Sequence, residues 1–200
     1  MISIFDLFKI GIGPSSSHTV GPMKAAGAFL EALEAGGLTE RVARVVTTLY
    51  GSLAWTGKGH GTRDAVILGL CGERPATIDP DAAGGIVRAV EASSTLALGA
   101  RRSIGFVAET DIVSDLETVP AFHPNTLAFE AFDADGASLM IQRWCSVGGG
   151  FVVLEGHNEP PVGNQAGTVP YPYRSAADLL AMASASGGSI ADVVRADEEA

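Results

Sequence analysis

An α+β domain, a mostly antiparallel sheet with helices packed on it, is the fold this sequence predicts, and three observations carry the prediction. Apolar side chains recur at helical spacing early in the chain, from Met23 to Leu33, Asp64 to Leu70 and Asp81 to about Leu98. From Ser103 onward the period changes to two, and Asp133-Ala134-Asp135-Gly136 separates two such stretches as a hairpin turn would. Helices first and hairpin strands later is the α+β pattern. The 200 residues, 46% apolar and 18% charged, suffice for one ordinary domain with a short appendage.

In chain order, Gly11-Ile12-Gly13-Pro14-Ser15-Ser16-Ser17-His18-Thr19-Val20-Gly21-Pro22 reads as a polar loop. It feeds a helix carrying Met23, Ala26, Phe29, Leu30 and Leu33, which closes at Gly36-Gly37. Val42 to Tyr50 is β-branched and predicts a strand; Gly51 to Gly61 reads as a glycine-spaced loop before the second helix. After the third helix come strands at Ile104 to Val107, Thr126 to Phe132, Ser138 to Trp144 and, beyond Gly148-Gly149-Gly150, Phe151 to Leu154. Glu155 to Tyr173 holds four prolines with Gly, Asn and Gln, the composition of a linker. Ser175 with Asp178 three residues later forms a capping signal for a helix bearing Leu179, Leu180 and Met182, stopped by Gly187-Gly188. Another helical start, Ser189 to Val194, runs into an acidic end, so the chain reads as cut short inside a second unit. No internal repeat is visible.

Composition excludes several classes. Asp and Glu number 23 against 13 Lys and Arg, a net charge of -10, and no basic stripe remains to neutralise phosphates, so nucleic acid is not the expected partner. Cys71 and Cys145 have neither CxxC spacing nor a neighbouring His, and read as buried thiols. Asp6 and Lys9 break the N-terminal apolar stretch, which lacks the basic lead of a secretory signal, and no segment reaches the roughly 20 apolar residues that span a bilayer. The expectation is a soluble, cytoplasmic protein with no membrane contact.

Three constellations have the residue types of a site. Ser15, Ser16, Ser17, His18 and Thr19 enter a helix, where hydroxyls and unpaired N–H groups at the positive end of the dipole suit a carboxylate or phosphate. One hydroxyl alone would serve as an N-cap; four hydroxyls and an imidazole exceed that need. In Gly57-Lys58-Gly59-His60-Gly61-Thr62 the glycines let backbone approach a ligand and leave His60 either a turn residue or a catalytic one. This is no P-loop, because five residues separate Gly51 from Gly57 and Gly59 follows the lysine. His123-Pro124-Asn125 fixes two hydrogen-bonding side chains around a rigid proline. His157, in the linker, reads as a surface residue, and the histidine spacing offers no metal site. Lys58 is the one lysine placed to carry pyridoxal phosphate, a reading not favoured here.

Met1 to Ala26 closely resembles the start of the bacterial iron-sulfur L-serine dehydratases. Further matches follow in order: Tyr50-Gly51-Ser52-Leu53 with Thr56 to His60, His123-Pro124-Asn125, Ser146 to Phe151, and Val169 to Tyr173 with Ser175-Ala176. The resemblance implies elimination of water from L-serine to give pyruvate and ammonia. It further implies a [4Fe-4S] cluster whose iron acts as Lewis acid, with no pyridoxal phosphate. Its cluster cysteines belong to a C-terminal α domain, so 1–155 would be a β domain, 156–174 a linker and 175–200 the beginning of the α domain. Such β domains resemble the allosteric substrate-binding domain of D-3-phosphoglycerate dehydrogenase. On this resemblance Ser15, Ser16, Ser17 and Thr19 would hold the serine carboxylate, and His18, His60, His123 and Asn125 would line the pocket, one imidazole assisting removal of the α-proton. Arg63 stands where the family places an aspartate, and Asp64 follows one position late. Partners implied are L-serine, the cluster-bearing domain or a partner chain, and a second copy of the chain. The alternative is a non-catalytic module that senses serine or another carboxylate.

Overall fold

The structure, a computed structural model, describes residues 8–157 and 169–200. Residues 10–157 belong to one compact unit and residues 169–200 to another. In the first, Ser16–Val20 make a single π-helical turn that runs directly into helix α1, Gly21–Ala35. A 3-10 turn, Thr39–Arg41, precedes strand β1, Arg44–Tyr50. Helix α2, Gly51–Thr56, a 3-10 turn, Gly57–His60, and helix α3, Thr62–Leu70, follow without a long connection. Helix α4, Pro80–Ser93, leads to the hairpin of β2, Thr95–Leu98, and β3, Arg102–Gly105. Then come helix α5, Ala108–Asp111, and strands β4, Ile112–Asp115, β5, Thr126–Phe132, β6, Ser138–Gly148, and β7, Phe151–Leu154.

The main sheet has the order β4-β1-β5-β6-β7, and every pair is antiparallel except β1 with β4, so the expected α+β class and mostly antiparallel sheet are what is found. Because Val45 faces Ala131 and Leu49 faces Leu127, the alternating residues Val45, Thr47, Leu49 and Leu127, Phe129, Ala131 share one buried face. Helix α1 lays Met23, Phe29 and Leu33 in the same core as α3's Val66 and Leu70, all at 0% exposure, and the Phe29 ring stacks on Phe129 at 5.2 Å. Each such side chain contributes about 1.5–3 kcal/mol by leaving water.

Four readings change. The segment 11–22 is polar but not all loop, since the helical path starts at Ser16. Gly51 to Gly61 is a helix and a 3-10 turn, Gly51 opening the helix, Gly57 opening the turn and Gly61 following it. The third helix stops at Ser93, where Ser94 takes a left-handed φ of 52°, and Leu96 and Leu98 are buried with the period of a strand. Strand β4 was not expected; it is tied to β1 by Asp111, 3% exposed, which accepts from Arg44 Nε at 2.8 Å and from the Val107 amide at 2.7 Å.

In the second unit, α6, Ala176–Ser186, and α7, Ile190–Glu198, both open with a capping box, Ser175 with Asp178 and Ser189 with Asp192. The Tyr171 amide donates to Asp197 Oδ1 at 2.8 Å. Most of the expected linker 156–174 and the first residues of the N-terminal motif lie outside the described residues. Among the described residues no helix is long and apolar enough to cross a membrane.

Candidate active site

Pro22 sets the geometry of the helix entrance. It occupies the second position of α1 and has no N–H to give the carbonyl four residues before it, that of His18. The buried Thr62, 0% exposed, supplies the missing donor from the start of α3: its hydroxyl donates to the His18 carbonyl at 2.6 Å. The bond is answered in the other direction, since the buried Thr19 hydroxyl donates to the His60 carbonyl at 2.7 Å. Two hydroxyls thus brace two histidine-bearing segments distant in sequence, and the rings of His18 and His60 lie 4.8 Å apart, tilted by 41°.

The serines divide their work. Ser15 is the N-cap; its Oγ accepts from the His18 amide at 3.1 Å while its carbonyl takes the amides of Thr19 and Val20. Ser17 Oγ lies 2.9 Å from His18 Nδ1 and 3.4 Å from Ser15 Oγ, and Ser16 is exposed. Ser15 and Ser17 therefore line the cap together, whereas Thr19 is turned inward onto the His60 backbone.

Backbone fixes the tautomers of two rings. His60 Nδ1 sits 2.9 Å from the Thr56 carbonyl, which can only accept, so Nδ1 carries the proton and the neutral ring leaves Nε2 bare. His123 Nδ1 accepts from the Asn125 amide at 3.1 Å, so the neutral ring of His123 presents Nε2–H. The two neutral imidazoles thus differ at Nε2, which is bare in His60 and carries a proton in His123. Asp64 takes no part in orienting His60; the Thr56 carbonyl does this, and Arg63 reaches Glu109 at 3.7 Å. His60 and Asp64 also line a cleft of about 230 Å³ whose walls include Ile12, Ala65 and Val87.

The His123 loop joins the cluster through a residue to which the sequence reading assigned no role. The Ser52 amide donates to the Pro124 carbonyl at 2.9 Å, and Ser52 Oγ lies 3.0 Å from His18 Nε2. This approach requires Gly51, which takes a φ of +50° and whose added β-carbon would run into the Pro124 carbonyl oxygen. Asn125 is anchored to β6: its Nδ2 donates to the Ser146 carbonyl at 3.2 Å and its own carbonyl accepts the Ser146 amide at 2.9 Å. The structure therefore brings His18 and His60 together directly, and links His123 and Asn125 to them through Ser52. Ser52 stands in the matching stretch Tyr50-Gly51-Ser52-Leu53, but its partner lies 34 positions away and only the fold shows what it holds.

Burial, then the neighbouring charge of His60, holds His18 below the ordinary imidazole range, against the opposite pull of the Ser52 hydrogen bond. The two thiols do not fit a cluster. Cys71 caps α3, and burial pushes it up to about 11. Cys145 lies buried on β6 with its thiol raised by burial, 3.3 Å from the Thr126 hydroxyl. A metal-binding thiolate needs the opposite environment. Among the described residues no three His, Cys, Asp or Glu side chains converge as ligands.

Residues 3–157 match the family described as serine dehydratase beta chain. L-serine dehydratase 1 of Escherichia coli is 42% identical over 199 residues, 99% of this chain and 43% of its own length. L-serine dehydratases of Streptomyces coelicolor and Helicobacter pylori are 42% and 37% identical over 100% and 99% of the chain, or 44% and 43% of theirs. The chain thus spans less than half the length of these relatives. Because the family match runs through the serine cap, both histidine segments and the His123 loop, the chain belongs to the serine dehydratase beta chain family.

Proposed function

We propose that this chain supplies the substrate-binding and acid-base groups of an L-serine dehydratase. The carrying observation is the pairing of a hydroxyl-lined helix entrance with His60, whose Nε2 is left basic by the Thr56 carbonyl. Ser15 and Ser17 hold the substrate carboxylate at the positive end of the helix. His60 Nε2 takes the α-proton while the β-hydroxyl leaves as water after gaining a proton, giving aminoacrylate; this tautomerises to the imine, which water hydrolyses to pyruvate and ammonia. His123 Nε2–H and the Oδ1 of Asn125 face the substrate's polar groups. No residue of this chain is assigned the activation of the leaving hydroxyl, and its cysteines do not fit a [4Fe-4S] cluster; that chemistry belongs to a cluster-bearing domain or partner chain. Trp55 on α2 and Val119 and Phe122 in the loop before His123 are exposed apolar side chains that such a partner or a second copy would cover.

Two measurements test this. L-serine titrated into the labelled chain should shift the amides of Ser15, Ser17 and His18; no shift at high serine sinks the carboxylate assignment. Pyruvate should appear only when the chain is combined with the cluster-bearing part, and should vanish with His60→Ala. Turnover by this chain alone after anaerobic iron-sulfide reconstitution would show that the leaving-group chemistry lies here after all. Turnover that survives both His60→Ala and His123→Ala, with only an effector response changed, would make the chain a sensor.

A further inference from the structure

Ser52 stands where three pieces of the site meet. Its amide holds the Pro124 carbonyl at 2.9 Å and so the His123 loop, its hydroxyl lies 3.0 Å from His18 Nε2, and its carbonyl accepts the Thr56 hydroxyl at 2.8 Å. The last bond matters because the Thr56 carbonyl in turn orients His60. His18 has a hydroxyl on each ring nitrogen, Ser17 at Nδ1 and Ser52 at Nε2. A hydroxyl both donates and accepts, so the neutral ring is satisfied on both sides in either tautomer, and neither nitrogen is left bare in a half-buried place.

We propose that Ser52 is the positioning residue of the site: its hydroxyl fixes the ring of His18 against His60, while its amide fixes the His123 loop. It acts through the imidazoles rather than on the substrate. The inference rests on the reading of His18 and His60 as site residues, and its test does not depend on turnover.

The experiment is side-chain nitrogen NMR on the chain labelled with 15N-histidine, comparing wild type with Ser52→Ala, Ser52→Thr and Ser52→Cys. In Ser52→Ala the Nε2 resonance of His18 should shift and the through-space contact between the His18 and His60 rings should weaken, while His123 keeps its Nε2–H form, because the backbone amide of residue 52 remains. Ser52→Thr keeps the hydroxyl and should restore both signals. Should Ser52→Ala lose its folded spectrum, Ser52→Cys, of similar size and weaker as a partner, gives the same comparison. His18 resonances and ring contact unchanged in the alanine or cysteine variant overturn the proposal, as does a threonine variant that moves as far as alanine. If L-serine leaves the wild-type serine cap unperturbed while Ser52→Ala still shifts His18, the substrate reading fails and the positioning role stands.

Discussion

Replacing Thr62 by valine removes one hydroxyl from the centre of the fold and leaves the shape almost unchanged. The lost bond is the 2.6 Å donation to the His18 carbonyl, which the proline at position 22 has deprived of its helical donor. With Thr62 at 0% exposure, no water stands ready to replace the hydroxyl. A buried carbonyl left without its partner costs about 1–3 kcal/mol. Two kcal/mol, the middle of that range, lowers the melting midpoint of a chain of this size by about 4–8 °C. Thr62→Ser is the control: it keeps the hydroxyl and gives up one methyl, worth about 0.8 kcal/mol. Urea unfolding followed by tryptophan fluorescence, with valine, serine and wild type side by side, reads both numbers. The expected order is valine below serine below wild type. Thr19→Val removes the answering bond to His60, and the double variant should be non-additive because both hydroxyls brace one pair of segments. A valine variant within about 0.5 kcal/mol of wild type, the scale of an ordinary surface change, refutes the brace.

Gly51→Ala should cost at least about 2 kcal/mol, combining a left-handed φ with the collision against the Pro124 carbonyl, and should shift the His123 ring signals. Gly37→Ala, at a φ of +64° with nothing nearby, should cost only about 1 kcal/mol; equal losses would show that the Pro124 contact is unimportant. The folded pKa of His18 lies below the unfolded value of 6.5, so the unfolded chain binds the extra proton first. Stability should therefore fall as the pH drops through 6.5 and level off below the folded value, and His18→Gln should flatten that decline in thermal melts; an unchanged slope counts against burial of the neutral ring. Both cysteines should resist alkylation at mildly alkaline pH until the chain is denatured, and native labelling at the rate of a free thiol would contradict their burial.

The parts legible in the sequence are those whose causes are local. The hairpin of β5 and β6 follows from Asp133, whose side chain takes the amides of Asp135 and Ala137, and from Gly136 at a φ of +79°. Ser175 and Asp178 write their capping box into adjacent positions. Strand β4 has no such signature: four residues pair with β1 because Asp111 grips Arg44 from 67 positions away. Helix α2 was hidden by its own glycines, which sit at its entrance and its end. The site divides in the same way. The clustered Ser15 to Thr19, the histidines and Asn125 announce themselves by type and grouping, whereas the roles of Thr62 and Ser52 appear only through partners 44 and 34 positions distant. Pro22 was the one available clue to Thr62, since it shows that a carbonyl lacks a donor without saying which residue provides one.

Charge decides how two imidazoles so close together can share a site. When His60 Nε2 takes a proton, a positive charge appears beside His18, whose ring centre is 4.8 Å away. Two charged rings at that distance would repel by about 3 kcal/mol at an effective dielectric near 20, less where water reaches them. A base opposed by that much would be a poor one. On the role proposed for His60, His18 is therefore neutral when His60 takes the proton, which is the state that burial favours and that hydroxyls on both ring nitrogens satisfy. The carboxylate proposed for the serine cap brings the opposite charge beside the two rings only while substrate is bound. Exchanging the proposed roles of His60 and His123 would require breaking the backbone bonds at Thr56 and Asn125 that set the two tautomers.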